Sequence, residues 1–253
     1  ARKIRDDQVG AIFAHDIGAA GVAFSTPRSA DGPASGLCLI AVTPDGERTM
    51  NTYLGAAVEL TPDDVDEEAV AGSSVLYLEG YLWDPPSARE AMREAVAIAR
   101  EAGRKVSLSL SDSFCVERHR EEFQQLVSDG VDILFANEHE AMALYEVEDL
   151  EATITAAAAE CEIAAVTRGR HGSIVVSGAE RHEIPVFDVP KRVDTTGAGD
   201  LYAAGFLHSY TAGRPLDDSG WIGSVAAAEV IGHIGARPDA DLQEMVAVEL
   251  GRR

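Results

Sequence analysis

The chain has 253 residues, 46% of them hydrophobic, enough to bury a sizeable core, and the length fits one large α/β domain. A formal net charge of −22 argues against nonspecific binding to nucleic acid or to anionic membrane surfaces. Cys38, Cys115 and Cys161 are too few and too scattered for a disulfide framework, no apolar run approaches membrane-spanning length, and the first residues lack a secretory h-region, so a reducing cytoplasm is the expected compartment.

The spacing of Val9, Ile12, Phe13 and Ile17 predicts a helix over Asp6 to Ala20, ended by Gly21, with a short strand at Val22 to Phe24. Leu37 to Val42 and Arg48 to Leu54 flank Pro44-Asp45-Gly46, the strongest hairpin signal present. Strands are expected at Val75 to Leu78, Lys105 to Leu110, Ile133 to Phe135 and Ala164 to Thr167, separated by helices of crossover length. That alternation means βαβ units and a parallel sheet. One helix from Ser87 to Ala102 stops at Gly103, and another from Cys115 to Ser128 stops at Gly130, both as C′ glycines. An antiparallel pair, Ile174 to Ser177 with His182 to Val186, precedes two final helices, Leu201 to Ala212 and Asp217 to His233. The run LYAAGFLHSY is apolar nearly all round, which marks a buried helix.

Between the antiparallel pair and that helix lies DTTGAGD, Asp194 to Asp200. A helix start exposes unpaired N–H groups and the positive end of the macrodipole, so the amides of Gly197, Ala198 and Gly199 can surround an anion. Asp200 in the first helical turn can then accept a proton from an attacking hydroxyl. An N-cap Asp after ordinary turn glycines is the plainer reading of the same letters. The full string resembles the second signature of the ribokinase-like, or PfkB, family of sugar and nucleoside kinases. The resemblance implies a three-layer α/β/α domain with a mainly parallel sheet and a small β lid, spanning residues 1–253 with lid elements at about 22–54. It also implies that Asp200 is the catalytic base and the GAG amides the anion hole, with Thr195 beside the nucleotide.

VDILFANEHEAMAL ends a buried strand just before Asn137 and Glu140, so both emerge at a carboxyl edge of the sheet, where ligands bind in open α/β folds. As plain structure they are an N-cap Asn and a first-turn Glu. The resemblance makes them an Asn-x-x-Glu motif that organises Mg2+ and phosphates through water. AVTRGRHGSIVV resembles the family's nucleotide loop, with Thr167, Gly169 and Gly172 against the sugar and phosphates of ATP. Arg168 and Arg170 either complement the phosphates or are simply solvated. Asp194 and Thr196, with IGHIGAR around Gly232 to Arg237, match the place where the family holds a monovalent cation, so K+ dependence is expected. Cys115 and His119 lie four apart on a predicted helix but lack further ligands for zinc, and His119 is expected at the surface.

G-x-x-x-x-G-K-[ST] and G-x-S-x-G are absent, and Tyr202 replaces the third glycine in GAGDLY, which disfavours P-loop enzymes, α/β-hydrolases and dinucleotide oxidoreductases. LEGYLWDPP, VDILFANEHEA and RTMNTYLGA look most like adenosine kinases and their bacterial relatives. The implied reaction moves the γ-phosphoryl of Mg-ATP to the ribose 5′-hydroxyl of a nucleoside, with a ribokinase- or fructokinase-like sugar acceptor or a non-catalytic nucleotide-binding remnant as alternatives. The hairpin is the expected lid and the surface of a homodimer, with Asn51 and Tyr53 on one face toward the acceptor or packed against another surface. The resemblance begins late: the family's opening strands and first Gly-Gly signature are not among these residues, so an N-terminally incomplete domain is expected.

Overall fold

The computed structural model describes residues 3–251. The chain divides into two compact units, the first formed from Ala1–Ala41, Thr49–Leu76 and Tyr81–Lys105, the second from Val42–Arg48, Tyr77–Gly80 and Val106–Arg253.

In the first unit, helix α1 (Gln8–Ala19) is capped by Asp7, whose carboxylate accepts from Gly10 N at 2.8 Å and Ser35 N at 2.9 Å. No strand forms at Val22 to Phe24; the Phe24 ring instead packs edge-on against Phe13 at 5.5 Å, and Val22 is exposed. The hairpin forms as expected from strands β1 (Leu37–Val42) and β2 (Arg48–Tyr53), a small antiparallel sheet. Every residue of β2 is exposed. Helix α2 (Glu67–Gly72) leads to strand β3 (Val75–Glu79) and helix α3 (Pro86–Glu101). The buried face of α3 is Ala88, Ala91, Met92, Ala95, Val96 and Ala99, a three-to-four spacing that follows one side of a helix. Gly103 closes it at φ +67°, the left-handed C′ position read from the sequence.

The second unit is built on the sheet β3-β4-β5-β6-β7-β8, where β4 is Lys105–Ser109, β5 Ile133–Asn137, β6 Ile163–Thr167, β7 Ser173–Ser177 and β8 Glu180–Ile184. The pairs β4/β5 and β5/β6 are parallel, while β6/β7 and β7/β8 are antiparallel. Both β5 and β6 are buried except at their last residue, as expected for strands covered on two faces. The single helix expected over Cys115 to Ser128 is two, α4 (Ser113–Arg118) and α5 (Arg120–Gly130). His119 breaks them by leaving helical geometry at φ −125°, ψ 26°, and its side chain is half-buried rather than at the surface. Gly130 is the last helical residue of α5 and lacks the positive φ of a C′ glycine.

Helices α6 (Glu138–Tyr145) and α7 (Leu150–Glu160) flank the sheet, and α8 (Ala198–Thr211), α9 (Leu216–Val230) and α10 (Leu242–Leu250) complete the described chain. Tyr202, Ala203 and Phe206 of α8 pack on Ile133, Phe135, Ile163 and Val175 of the sheet. The helix is buried on most of its circumference, with Ala204 and His208 exposed. Its approach to α9 depends on absent side chains: a Cβ at Gly205 would stand 2.8 Å from Ile222 O and 3.0 Å from Gly223 Cα. Gly205→Val must therefore push the backbones of α8 and α9 away from each other, and we expect a loss of about 3 kcal/mol of stability. Chemical denaturation should show a lower midpoint with an unchanged slope.

Candidate active site

The DTTGAGD segment is organised around one buried carboxylate. Asp194 is 2% exposed. Its Oδ1 accepts from Thr196 N at 2.9 Å and Thr196 Oγ1 at 2.7 Å, and its Oδ2 accepts from Gly235 N at 3.0 Å. Burial alone would push this carboxyl up, but the Thr196 hydroxyl, the two N–H donors and the charge of Arg48 together hold it below the ordinary value. The segment is also stitched to the end of α9 by Val193 N donating to Ile231 O at 2.8 Å. Gly197 then turns the chain into α8 at φ 81°, ψ 0°. A side chain fails there twice, since the conformation is left-handed and a Cβ would lie 2.9 Å from the Cβ of Ala236.

Asp200 follows in the first turn of α8. Although exposed, its carboxyl is raised above the ordinary range by desolvation, with Arg48 opposing the shift. Arg48 reaches this region through a 2.7 Å hydrogen bond from Nη1 to Thr195 Oγ1. Arg192 donates to Asp45 O at 2.7 Å through Nη2, tying the hairpin turn to the same segment. The N–H of Ala198 makes a long bond of 3.3 Å to Thr195 O.

A cavity of about 430 Å³ opens on this helix start, within the range of small-molecule sites. Thr195, Ala198 and Gly199 line it together with Thr167, Gly169, Arg170 and Gly172, so two of the sequence-derived groups meet in one space. Gly172, at φ 79°, leaves no room for a Cβ, which would run into Ile184 O. The rest of the wall includes Val186, Phe187, Val189, Tyr202, Ala227 and Ile231, of which Phe187, Val189 and Ala227 were not named from the sequence and Val186 and Tyr202 were not assigned to a ligand. Two polar groups on that wall are satisfied by the protein itself: Tyr202 Oη pairs with Ser173 Oγ at 2.7 Å, and Ser224 Oγ donates to Pro185 O at 3.0 Å.

Asn137 and Glu140 do not line this cavity. They form a capping box at the start of α6: Asn137 N donates to Glu140 Oε2 at 2.9 Å, Asn137 Nδ2 to Glu140 Oε1 at 2.6 Å, and Glu140 N to Asn137 Oδ1 at 2.9 Å. The β5/β6 register sets Asn137 opposite Thr167 at the strands' carboxyl ends. Glu140 is 7% exposed, and burial first, then Asp112, raises its pKa against the pull of Asn137 and His139. Tyr77 is a group the sequence reading missed. Its hydroxyl is pushed up to about 12 by burial, against a hydrogen bond with Ser109, and the charges of Asp200, Glu79 and Glu140 all add to the shift.

Asn51 and Tyr53 lie exposed on β2 in the first unit. Among the described residues no group of three or more His, Cys, Asp or Glu side chains is set to hold a metal ion. No helix among the described residues is long and apolar enough to cross a membrane.

A parallel-sheet edge, a glycine-rich helix start with a first-turn carboxylate and an adjoining cavity thus lie together, and residues 2–242 match the model of the pfkB family of carbohydrate kinases. The chain belongs to that family. It is 52% identical to the adenosine kinase of Sinorhizobium meliloti, whose crystal structure superposes with a TM-score of 0.95 over 99% of this chain and 76% of that one. A putative Ribokinase II from E. coli, solved with ATP and Mg2+, shares the fold at a TM-score of 0.90, with 20% identity over 100% of this chain and 82% of the other. The adenosine kinase of Schizophyllum commune is 31% identical over 229 residues, 81% of this chain. The chain spans 64% of that relative's length.

The Asp194 interactions make a pH-dependent prediction. A carboxylate with a lowered folded pKa stabilises the fold above its unfolded value and loses that contribution as pH falls through the folded value. Asp194→Asn should cost about 1–3 kcal/mol near pH 7. In urea melts across pH, the gap to wild type should be full above about pH 4 and close at lower pH.

Proposed function

We propose that this chain carries the phosphoryl-donor end of a kinase that transfers the γ-phosphoryl group of Mg-ATP to a primary hydroxyl of a nucleoside, with the ribose 5′-OH of adenosine as the favoured acceptor. The observation that carries the reading is Asp200, with a raised pKa, one helical position beyond glycine-rich amides that border a cavity of about 430 Å³. Family membership supports the reaction class. The 52% identity to a bacterial adenosine kinase supports the acceptor.

Bound Mg-ATP supplies the electrophilic phosphorus and a metal that neutralises phosphate charge. Gly197, Ala198 and Gly199 direct N–H groups at the oxygens that gain charge, the Ala198 amide giving up its 3.3 Å bond to Thr195. Arg48 adds positive charge beside the same turn. Asp200 takes the proton of the acceptor hydroxyl; in a loose transition state little deprotonation precedes attack, so positioning and charge stabilisation dominate. Thr167, Gly169, Gly172 and Thr195 hold the nucleotide. Asn137 and Glu140 would hold Mg2+ through water, since a carboxylate that accepts two hydrogen bonds keeps lone pairs for more, and the ion would neutralise phosphate charge there. The β1/β2 hairpin serves as a lid with Asn51 and Tyr53 toward the acceptor, and as the surface of a homodimer. The enzyme works in the cytoplasm.

The test is an ATP-consumption screen of the full-length protein against adenosine, other nucleosides, ribose and fructose. Adenosine should give the highest kcat/KM, and a preference for ribose or fructose assigns the site to a sugar. Asp200→Asn should lower turnover about 10²–10⁴-fold, as loss of a general base does; wild-type turnover in that variant sinks the mechanism. Asp194 and Thr196 form a monovalent-cation site in this reading. Rates should rise when K+ replaces a bulky organic cation, and equal rates remove the cation from the account.

A further inference from the structure

The turn that bears the anion hole rests on the chain just after α9. Gly235 N–H donates to Asp194 Oδ2, Ile231 O accepts from Val193 N, and Ala236 sits against the position where Gly197 lacks a side chain. This stretch, 231–240, has no regular secondary structure. One side chain of α9 ties down its far end. Glu229 Oε1 accepts from both Asp239 N and Ala240 N at 2.9 Å, which draws the far end of the stretch back onto the helix that begins it.

Within the stretch, His233 Nε2 stands 3.4 Å from Glu229 Oε1, and its Nδ1 stands 3.7 Å from Asp239 Oδ2. The Glu229 side chain is 7% exposed, and its Oε2 is buried without a hydrogen-bond partner. A carboxylate this desolvated, with one bare oxygen, is retained at a cost unless it is held in place for something. The two backbone donors and the His233 imidazole all gather at Oε1; His233 Nε2 lies within ion-pair distance of it without a hydrogen bond.

We infer that Glu229, braced by His233, is a positioning residue for phosphoryl transfer: it clamps residues 231–240 so that the Gly235 amide and Ala236 hold Asp194 and Gly197 in the geometry of the anion hole. It touches neither substrate nor reacting atoms. Its influence runs from Glu229 through Asp239 and Ala240 to the stretch, from Gly235 to Asp194, and from that carboxylate to the start of α8. Small displacements at an anion hole are expensive in rate and cheap in binding, because the stabilisation matters most when charge develops. The kinetic half of this inference rests on the kinase reading above; the structural half does not.

The experiment compares Glu229→Ala, Glu229→Gln and His233→Gln with wild type in the full-length protein, by steady-state kinetics with ATP and adenosine and by amide hydrogen exchange at Gly235. Glu229→Ala should lose about 10–100-fold in kcat while KM for ATP stays within about threefold, and its Gly235 amide should exchange about tenfold faster. Glu229→Gln keeps an oxygen for the same two N–H groups and should recover most of the rate. A folded Glu229→Ala with wild-type kcat, or with an unchanged Gly235 amide, overturns the inference, as does a Gln variant no better than Ala. If Glu229→Ala does not fold, His233→Gln carries the test: faster exchange at Gly235 supports the brace and unchanged exchange overturns it. A wild-type protein without kinase activity defeats the proposed function alone, because the exchange measurement still reads the brace.

Discussion

The buried carboxylate of Asp194 is the constraint on which the candidate site depends. A charge this desolvated persists only if its oxygens are hydrogen-bonded, and the groups that satisfy it are those that shape the turn. Thr196 closes the segment on its own side through two bonds, and Gly235 reaches across from the chain after α9. The carboxylate therefore fixes two stretches to each other, and Gly197 passes between them where nothing larger fits. Once that passage is set, the direction of α8 is set, and with it the first-turn position of Asp200.

The remaining architecture keeps this geometry stiff. Phe206 and Tyr202 seat α8 on the sheet, and Gly205 and Gly223 let α9 approach to backbone contact. Charge is arranged locally against the chain's overall −22. Arg170 and Arg192 line the cavity beside the helix start, with Asp188 on the same wall, and Arg48 donates to the lining Thr195, so basic side chains gather locally on an acidic protein. Asp200 and Glu140 both carry raised pKa values, and burial leads the causes for each. Such shifts are common where protons are handled.

What could be read from the letters was what local chemistry decides. DTTGAGD was legible because a left-handed glycine, small residues and a first-turn carboxylate are properties of neighbouring residues. The hairpin at Pro44-Asp45-Gly46 and the C′ glycine at Gly103 were legible for the same reason. Asn137 and Glu140 were legible as a pair, and their capping box is also the plain structural reading of that pair, so their bonds to each other do not decide between cap and ligand. The break at His119 and the missing strand at Val22 to Phe24 escaped because tertiary packing decides them, as the Phe13–Phe24 ring contact illustrates. Arg48 and Tyr77 escaped because their relevance lies in what they approach: Thr195 sits 147 positions from Arg48 along the chain. The apolar cavity wall at Phe187, Val189 and Ile231 reads in sequence as ordinary core.

The central claim is a division of labour in seven residues, with backbone amides binding the phosphates and Asp200 serving the transfer step. Calorimetric titration of Mg-ATP into Asp200→Asn tests it most directly, set beside the single-turnover rate of the same protein. The account predicts a Kd equal to or below that of wild type, because a negative charge near the phosphates is gone, together with a collapsed rate. A Kd that weakens in step with the rate, or a rate that survives, contradicts it.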